Sequence, residues 1–484
     1  MTDPLQEQNH GVRFTPAWLC ITLVLLAAWA LQWPSAADLK LFALYDPGSA
    51  LRADALVAQG LKPGVDFGFS YGLVPLLIGR GWLAAFGRTP ASYLAYMAAM
   101  QLAIGAALAY LVAALRLRWW SFVPLLLALP IAIMPTYLHF THPLEVVLIV
   151  LALALQARGQ LAWALVVLTV CVFVKPSMAL IFGAIVTAQI LWPRREIVKQ
   201  LWPAAATGAA LAFLLLLVFG GPSLLATTVP VGASQSYREA NFGFFTGIGR
   251  LFWWPESPGV GYYLLTPAGI WLVATLSMVA MMWRSHPTRT TLATITALHL
   301  AFIGLFFGYP GSWQYYAYLP MLGLVIVIAQ WRSRAACVAV AGLIVLALCT
   351  HYYNNRDGWR FKQGFGGTSA YDSDRADITQ ALATIEGRPH LWLTNGYIEH
   401  FAPGVTTPPC WFMSPGLQKP REIEALRQQI AAAEVVVTHN QTGPLNPWLF
   451  PALSEATAAF AKDPDASNQT FTIWRRPAAS QPVP

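Results

Sequence analysis

Apolar positions run in long unbroken blocks through the first 350 residues, with short polar or basic joints between them; beyond that point they shorten into the alternating runs of a water-soluble fold. The blocks lie at about 17–33, 91–115, 119–138, 143–157, 161–174, 177–192, 201–219, 263–283, 290–308, 315–331 and 335–350, eleven in all. Each predicts a helix able to cross a hydrocarbon layer about 30 Å thick, the shortest only when its ends are extended. Several end in Trp or Tyr, which suit the membrane–water interface. After residue 350, helix-like stretches at 374–386, 421–433 and 449–461 alternate with strand-like runs at 390–393, 435–438 and 471–474. This predicts a small α/β domain over 351–476, with loops at its Gly and Pro breaks and a disordered tail at 477–484.

The segment 71–87 is apolar but carries Arg80 at its middle and three internal glycines. The positive-inside rule decides its place. If it lies on the membrane surface, the cytoplasmic joints receive Arg13, Arg116, Arg118, Arg158, Arg194, Arg195, Lys199, Arg284, Arg289, Arg332 and Arg334. If it crosses, ten of those eleven residues move outside. A surface helix is therefore expected. The N-terminus is then cytoplasmic, and the first loop (34–90), the loops 140–142, 220–262 and 309–314, and the C-terminal domain are extracytoplasmic. The predicted fold class is an α-helical polytopic membrane protein, with a membrane domain over 1–350 and a soluble C-terminal α/β domain. A bacterial inner membrane is the expected location.

Composition agrees with lipid as the solvent: 56% of residues are hydrophobic and 11% charged, against about 25% charged in soluble proteins. The formal charge of +8 is scattered in ones, twos and threes and forms no stripe, which excludes a nucleic-acid partner. The five cysteines have neither metal-ligand spacing nor a disulfide framework. Arg13 before the first block and Ser35-Ala36-Ala37 after it would suit a cleaved signal peptide, but the block is long for one and many spans follow.

Ionisable groups within or beside a bilayer are costly, so each is a functional candidate. Across the eleven blocks these are Glu145, Lys175 and His299, with His139 and His142 just before Glu145. The first loop adds Asp46, Arg52, Asp54, Lys62 and Asp66 among turn-forming Gly and Pro. Each has a plainer reading: a helix-capping acid for Asp46 or Asp54, a snorkelling lysine for Lys175, a packed histidine for His299. The loop 220–262 gathers Phe242, Phe244, Phe245, Phe252, Trp253 and Trp254 around Arg250. That composition suits the headgroup layer, either as a lid or guide for a lipid chain or as a structural anchor.

The stretch 45–87 resembles the first loop of the GT-C glycosyltransferases, the class that includes bacterial lipid A aminoarabinose transferases and protein O-mannosyltransferases. The resemblance rests on Asp46 and Gly48, a short helix ending at Gly60, then Pro63, Asp66-Phe67, Tyr71-Gly72, Pro75 and Phe86-Gly87. It continues more loosely through His142 and Glu145, Lys175-Pro176, and Tyr315-Tyr316 to Pro320. Many of the class have Asp-Glu where this chain has Asp46-Pro47, so Glu145 or Asp66 is the candidate for any second acid.

The resemblance implies transfer of a sugar from a polyprenyl-phosphate donor to a glycan, lipid or protein acceptor, by a single inverting displacement. Such a reaction needs a base for the acceptor hydroxyl and cations for the developing phosphate charge. Asp46 is the expected base, with Glu145 and Asp66 the other catalytic candidates. Lys175, Arg52, Lys62 and Arg250 are expected at the donor phosphate, with Arg238 a further candidate, and His142, Tyr315 and Tyr316 at the substrate. A divalent cation held by His139, His142 and Asp46 is compatible with the residue types, and no other cofactor is indicated. The rival readings are a transporter or flippase, a glycan polymerase or ligase using lipid diphosphates, and a membrane scaffold. A transporter should show internal repeats and charges along a midplane path, and this chain gathers its charges near one boundary.

Overall fold

A computed structural model of the chain describes residues 12–32, 46–69, 71–133, 140–191, 197–228, 294–295, 298, 318–331, 334–354, 369–385, 387–394, 396–402, 404–409, 420–440 and 453–477. The chain divides into two compact units, one of Met1–Trp33, Met97–Leu214 and Asn241–Lys362, the other of Pro34–Tyr96, Leu215–Ala240 and Gln363–Pro484. The first loop thus belongs with the C-terminal domain rather than with the membrane helices that flank it in sequence.

The described elements of the first unit are helices: α1 (Phe14–Gln32), then, after α2 (Asp46–Ala58) and α3 (Leu73–Phe86) of the other unit, most of α4 (Pro90–Ala114), α5 (Trp119–Ala132), α6 (Thr141–Ala157), α7 (Leu161–Val172), α8 (Pro176–Leu191) and most of α9 (Ile197–Phe219). Two more helices from this unit, α11 (Tyr318–Trp331) and α12 (Arg334–Asn354), come after α10 (Gly221–Thr228) of the other. Nine of the eleven apolar blocks fall on these helices; 263–283 lies outside the described residues, as does 290–308 except for 294–295 and 298. Pro90–Ala114 and Ile197–Phe219 are long and apolar enough to cross a membrane by length and composition, and the other apolar helices are shorter.

The core of this unit is a continuous apolar cluster containing Ile21, Ile104, Leu108, Phe122, Val146, Ile149, Leu168 and Leu322. Around it, Leu23, Trp163, Leu180, Val198, Phe213 and Val338 are exposed. An apolar perimeter around an apolar core is what a bundle solvated by lipid requires. Where α1 meets α4, a Cβ on Gly105 would stand 2.4 Å from Thr22 Oγ1, so only glycine allows that approach. The turn from α6 to α7 passes through Gly159 at φ +74°, with the Gly159 N–H donating to the Gln156 carbonyl. A glycine in the left-handed region ends a helix without strain.

The second unit opens with α2 (Asp46–Ala58) and α3 (Leu73–Phe86), takes in the short α10 (Gly221–Thr228), and closes with the C-terminal domain. Gly60 (φ +87°) ends α2, and an isolated bridge between Pro63 and Phe67 shapes the next turn. Gly64 (φ +75°) packs so tightly against α10 that a Cβ would lie 2.9 Å from Ala226 Cβ. The segment 71–87, where a surface helix is expected, forms the helix α3, and the Gly87 N–H donates to the Leu83 carbonyl at 2.9 Å at its end. Its 14 residues span about 21 Å at 1.5 Å per residue. Arg80, at its middle, is ion-paired with Asp54 of α2 at 3.3 Å.

In the C-terminal domain, α13 (Ser369–Ile385) leads to β1 (His390–Leu393), α14 (Pro420–Ala432) to β2 (Val435–His439), and α15 (Ser454–Ala458) to β3 (Ala461–Asp463) and β4 (Phe471–Arg475). The strand order is β1-β2-β4-β3, with β1 parallel to β2 and the other pairs antiparallel. Period-two alternation sends Trp392, Val437, Phe471 and Ile473 to one face, against Ile378 and Ile385 of α13. Leu391, Leu393 and Val436 go to the other, against Leu426 and Ile430 of α14. The sequence predicts one helix over 449–461; the described part is shorter, and 461–463 instead forms an edge strand. The reason is local: Asp463 accepts the Ala466 N–H at 3.0 Å and closes the β3–β4 turn. The tail beyond Pro477 lies outside the described residues.

Candidate active site

Two groups of chemistry-bearing residues are described, one in each unit. In the first unit, α6 starts at Thr141 with Pro143 in its first turn, where a missing N–H costs nothing. The helix carries His142 and Glu145 one turn apart, both buried. Two helices later, the Lys175 N–H still bonds the Cys171 carbonyl at 2.8 Å, and Pro176 then starts α8. Lys175 therefore sits at the α7–α8 joint. Its Nζ is 3.6 Å from Glu145 Oε2, and His142 Nδ1 is 3.7 Å from the same oxygen.

Glu145 is 0% exposed and Lys175 keeps 15% of its side chain accessible. A buried carboxylate away from water needs a cation beside it, and here Lys175 is that cation. The triad of carboxylate, imidazole and ammonium is suited to taking a proton or to holding an anion at its accessible edge. Two of its members, His142 and Glu145, are also metal-ligand types, but no three His, Cys, Asp or Glu stand together among the described residues.

In the second unit, Asp46 is the first residue of α2; its side chain is outside the described set. Arg52, expected at the donor phosphate, has protein partners instead. It is 2% exposed, donates to the carbonyls of Thr394 at 3.3 Å, Gly396 at 3.2 Å and Pro408, and lies 4.0 Å from Glu399. Asp66 Oδ2 accepts the Lys62 N–H at 2.8 Å, closing the loop after α2, while Lys62 is exposed.

Asp54 of α2, 4% exposed, accepts a bond from Arg88 Nε at 2.6 Å and lies 3.3 Å from Arg80 Nη1. Burial opposes the Arg88 charge, yet the hydrogen bond and charge of Asp54, with Tyr397 adding to them, hold that guanidinium above its ordinary pKa. In the sequence Asp54 is a functional candidate with a helix-capping acid as its plainer reading, Arg80 bears on topology, and nothing singles out Arg88. The alternation of signs along the loop was the signal, but it does not say which charges meet. His139, Arg238, Arg250, His299, Tyr315, Tyr316 and the aromatic residues at 242–254 lie outside the described residues.

No family model matches the chain, and no curated protein matches it. Among solved structures, it is similar to a crystal structure of ArnT from Cupriavidus metallidurans bound to undecaprenyl phosphate. The likeness covers 97% of this chain and 100% of that one, with a TM-score of 0.50 and 14% identity. At that identity the likeness speaks for the fold alone.

Proposed function

We propose that the chain is a membrane glycosyltransferase that moves a sugar from a polyprenyl-phosphate carrier to a glycan, lipid or protein acceptor on the extracytoplasmic face. The observation that carries this reading is the end-to-end fold likeness to a protein captured with undecaprenyl phosphate. The buried Glu145–Lys175 pair adds to it, since ionisable side chains within an apolar bundle are costly and mark functional sites.

In this reading Asp46 takes the proton of the acceptor hydroxyl as that oxygen attacks the anomeric carbon from the face opposite the phosphate. The glycosidic oxygen leaves with the phosphate, whose charge is stabilised by cations, so no strong general acid is needed. Lys175 is the first candidate at the phosphate, with Glu145 and His142 fixing its position. Lys62 and Arg250 are further phosphate candidates, and Tyr315 and Tyr316 candidates for stacking on the sugar. A single displacement inverts the anomeric centre. Purified protein supplied with a panel of polyprenyl-phosphate sugars is expected to release polyprenyl phosphate and yield a product of opposite anomeric configuration. A product that keeps the donor's configuration would refute the single displacement. The side of the membrane is tested by a reporter fused after Pro484: activity confined to the cytoplasm would contradict the proposed layout.

A further inference from the structure

Arg52 sits at the middle of α2, six residues beyond Asp46, or about 9 Å along the helix axis. A guanidinium cannot shed its charge, so when buried it must have its donors met. Among the described residues, the polar partners of Arg52 all come from the C-terminal domain. Thr394 and Gly396 lie just after β1, and Pro408 lies in the loop that returns to cover β1, where the Trp392 N–H donates to the Thr406 carbonyl at 2.8 Å. Glu399, which accepts a bond from Thr407, supplies the counter-charge at 4.0 Å. Asp54, two residues further along α2, is held by Arg80 and Arg88 from α3 and its exit. One helix is thus fastened at adjacent positions to two elements.

We infer that Arg52 is a positioning residue, through which the C-terminal α/β domain fixes the helix that presents Asp46 to the reacting hydroxyl. The inference rests on the proposed glycosyl transfer and gives the C-terminal domain a role in it. Fixing matters because a shift of about 1 Å in a catalytic group can lower a rate about 100-fold. It also separates Arg52 from a phosphate ligand: a positioning residue changes turnover, whereas a ligand that binds the donor equally in ground and transition states changes KM.

The test compares full-length wild type, Arg52→Met and Arg52→Lys in lipid nanodiscs, by steady-state transfer and by hydrogen exchange at 46–58 and 141–157. Arg52→Met is expected to speed exchange about tenfold or more at 46–58, to leave 141–157 unchanged, and to lower kcat about 30-fold with KM within about threefold. Arg52→Lys, which keeps the charge without the planar fork, is expected to fall between wild type and Arg52→Met on both readouts. A higher KM with unchanged exchange overturns the inference and returns Arg52 to the donor phosphate; unchanged kcat with faster exchange also overturns it. Should Arg52→Met fail to accumulate, Arg52→Lys decides, and wild-type values for it in both measurements overturn the inference. Wild-type protein that turns over no donor refutes the glycosyl transfer instead, while exchange at 46–58 still shows whether Arg52 holds α2.

Discussion

Glu145 has no accessible surface, and Lys175, 3.6 Å from it, keeps only an edge in contact with solvent. Removing one charge from such a pair leaves the other buried and uncompensated, which costs about 3 kcal/mol, whereas removing both costs less. Lys175→Met is therefore expected to lower the thermal midpoint of the full-length protein more than Glu145→Gln combined with Lys175→Met. Equal midpoints would show that the two charges do not compensate each other. Both residues stood out in the sequence because charge is rare in such blocks. Arg52 was legible as a charge, but its partners lie more than 340 residues away, and no local pattern says that a loop arginine will be buried by carbonyls. Distance along the chain also hid the link from Arg88 to Tyr397. Asp66 was picked out by its motif, and its described contact is with the turn four residues back.

At the scale of elements, unbroken apolar runs located the described helices of the first unit, since a long run without turn-forming breaks is read as a helix. The short α/β strands were also legible, because β1, β2 and β4 have β-branched and aromatic residues bounded by breaks. Strand β3 was not: Ala461–Asp463 has no strand pattern of its own and is held in place by β4 and by the Asp463 turn. There the cost of partial burial is outweighed by the Ala466 N–H and by Arg475, so the Asp463 carboxyl is held below its ordinary pKa. A folded-state pKa below the unfolded value, about 3.9, means that the contact stabilises the protein above that pH and is lost as pH falls through the lower folded value. The difference in thermal midpoint between wild type and Asp463→Asn is expected to be largest at pH 5 and above and to shrink toward pH 3. A difference that grows on acidification would contradict the assignment.

At the scale of the molecule, the chain's order in sequence hides its order in space. The first loop reads as a loop because it lies between two apolar blocks, yet α2 and α3 belong to the same compact unit as the C-terminal sheet. Period and composition carry no information about such a grouping; only long-range pairing of Arg52, Arg88 and their partners makes it. The function proposed for the whole rests on a fold shared from end to end with a protein seen holding a polyprenyl phosphate, and on Asp46 as the base at the start of α2. The most direct measurement is release of polyprenyl phosphate from polyprenyl-phosphate sugars by purified wild type and by Asp46→Asn at matched protein levels. The account predicts turnover by wild type and a loss of about 100-fold or more in Asp46→Asn; near-normal turnover by Asp46→Asn, or no turnover and no donor binding by wild type across the panel, would contradict it.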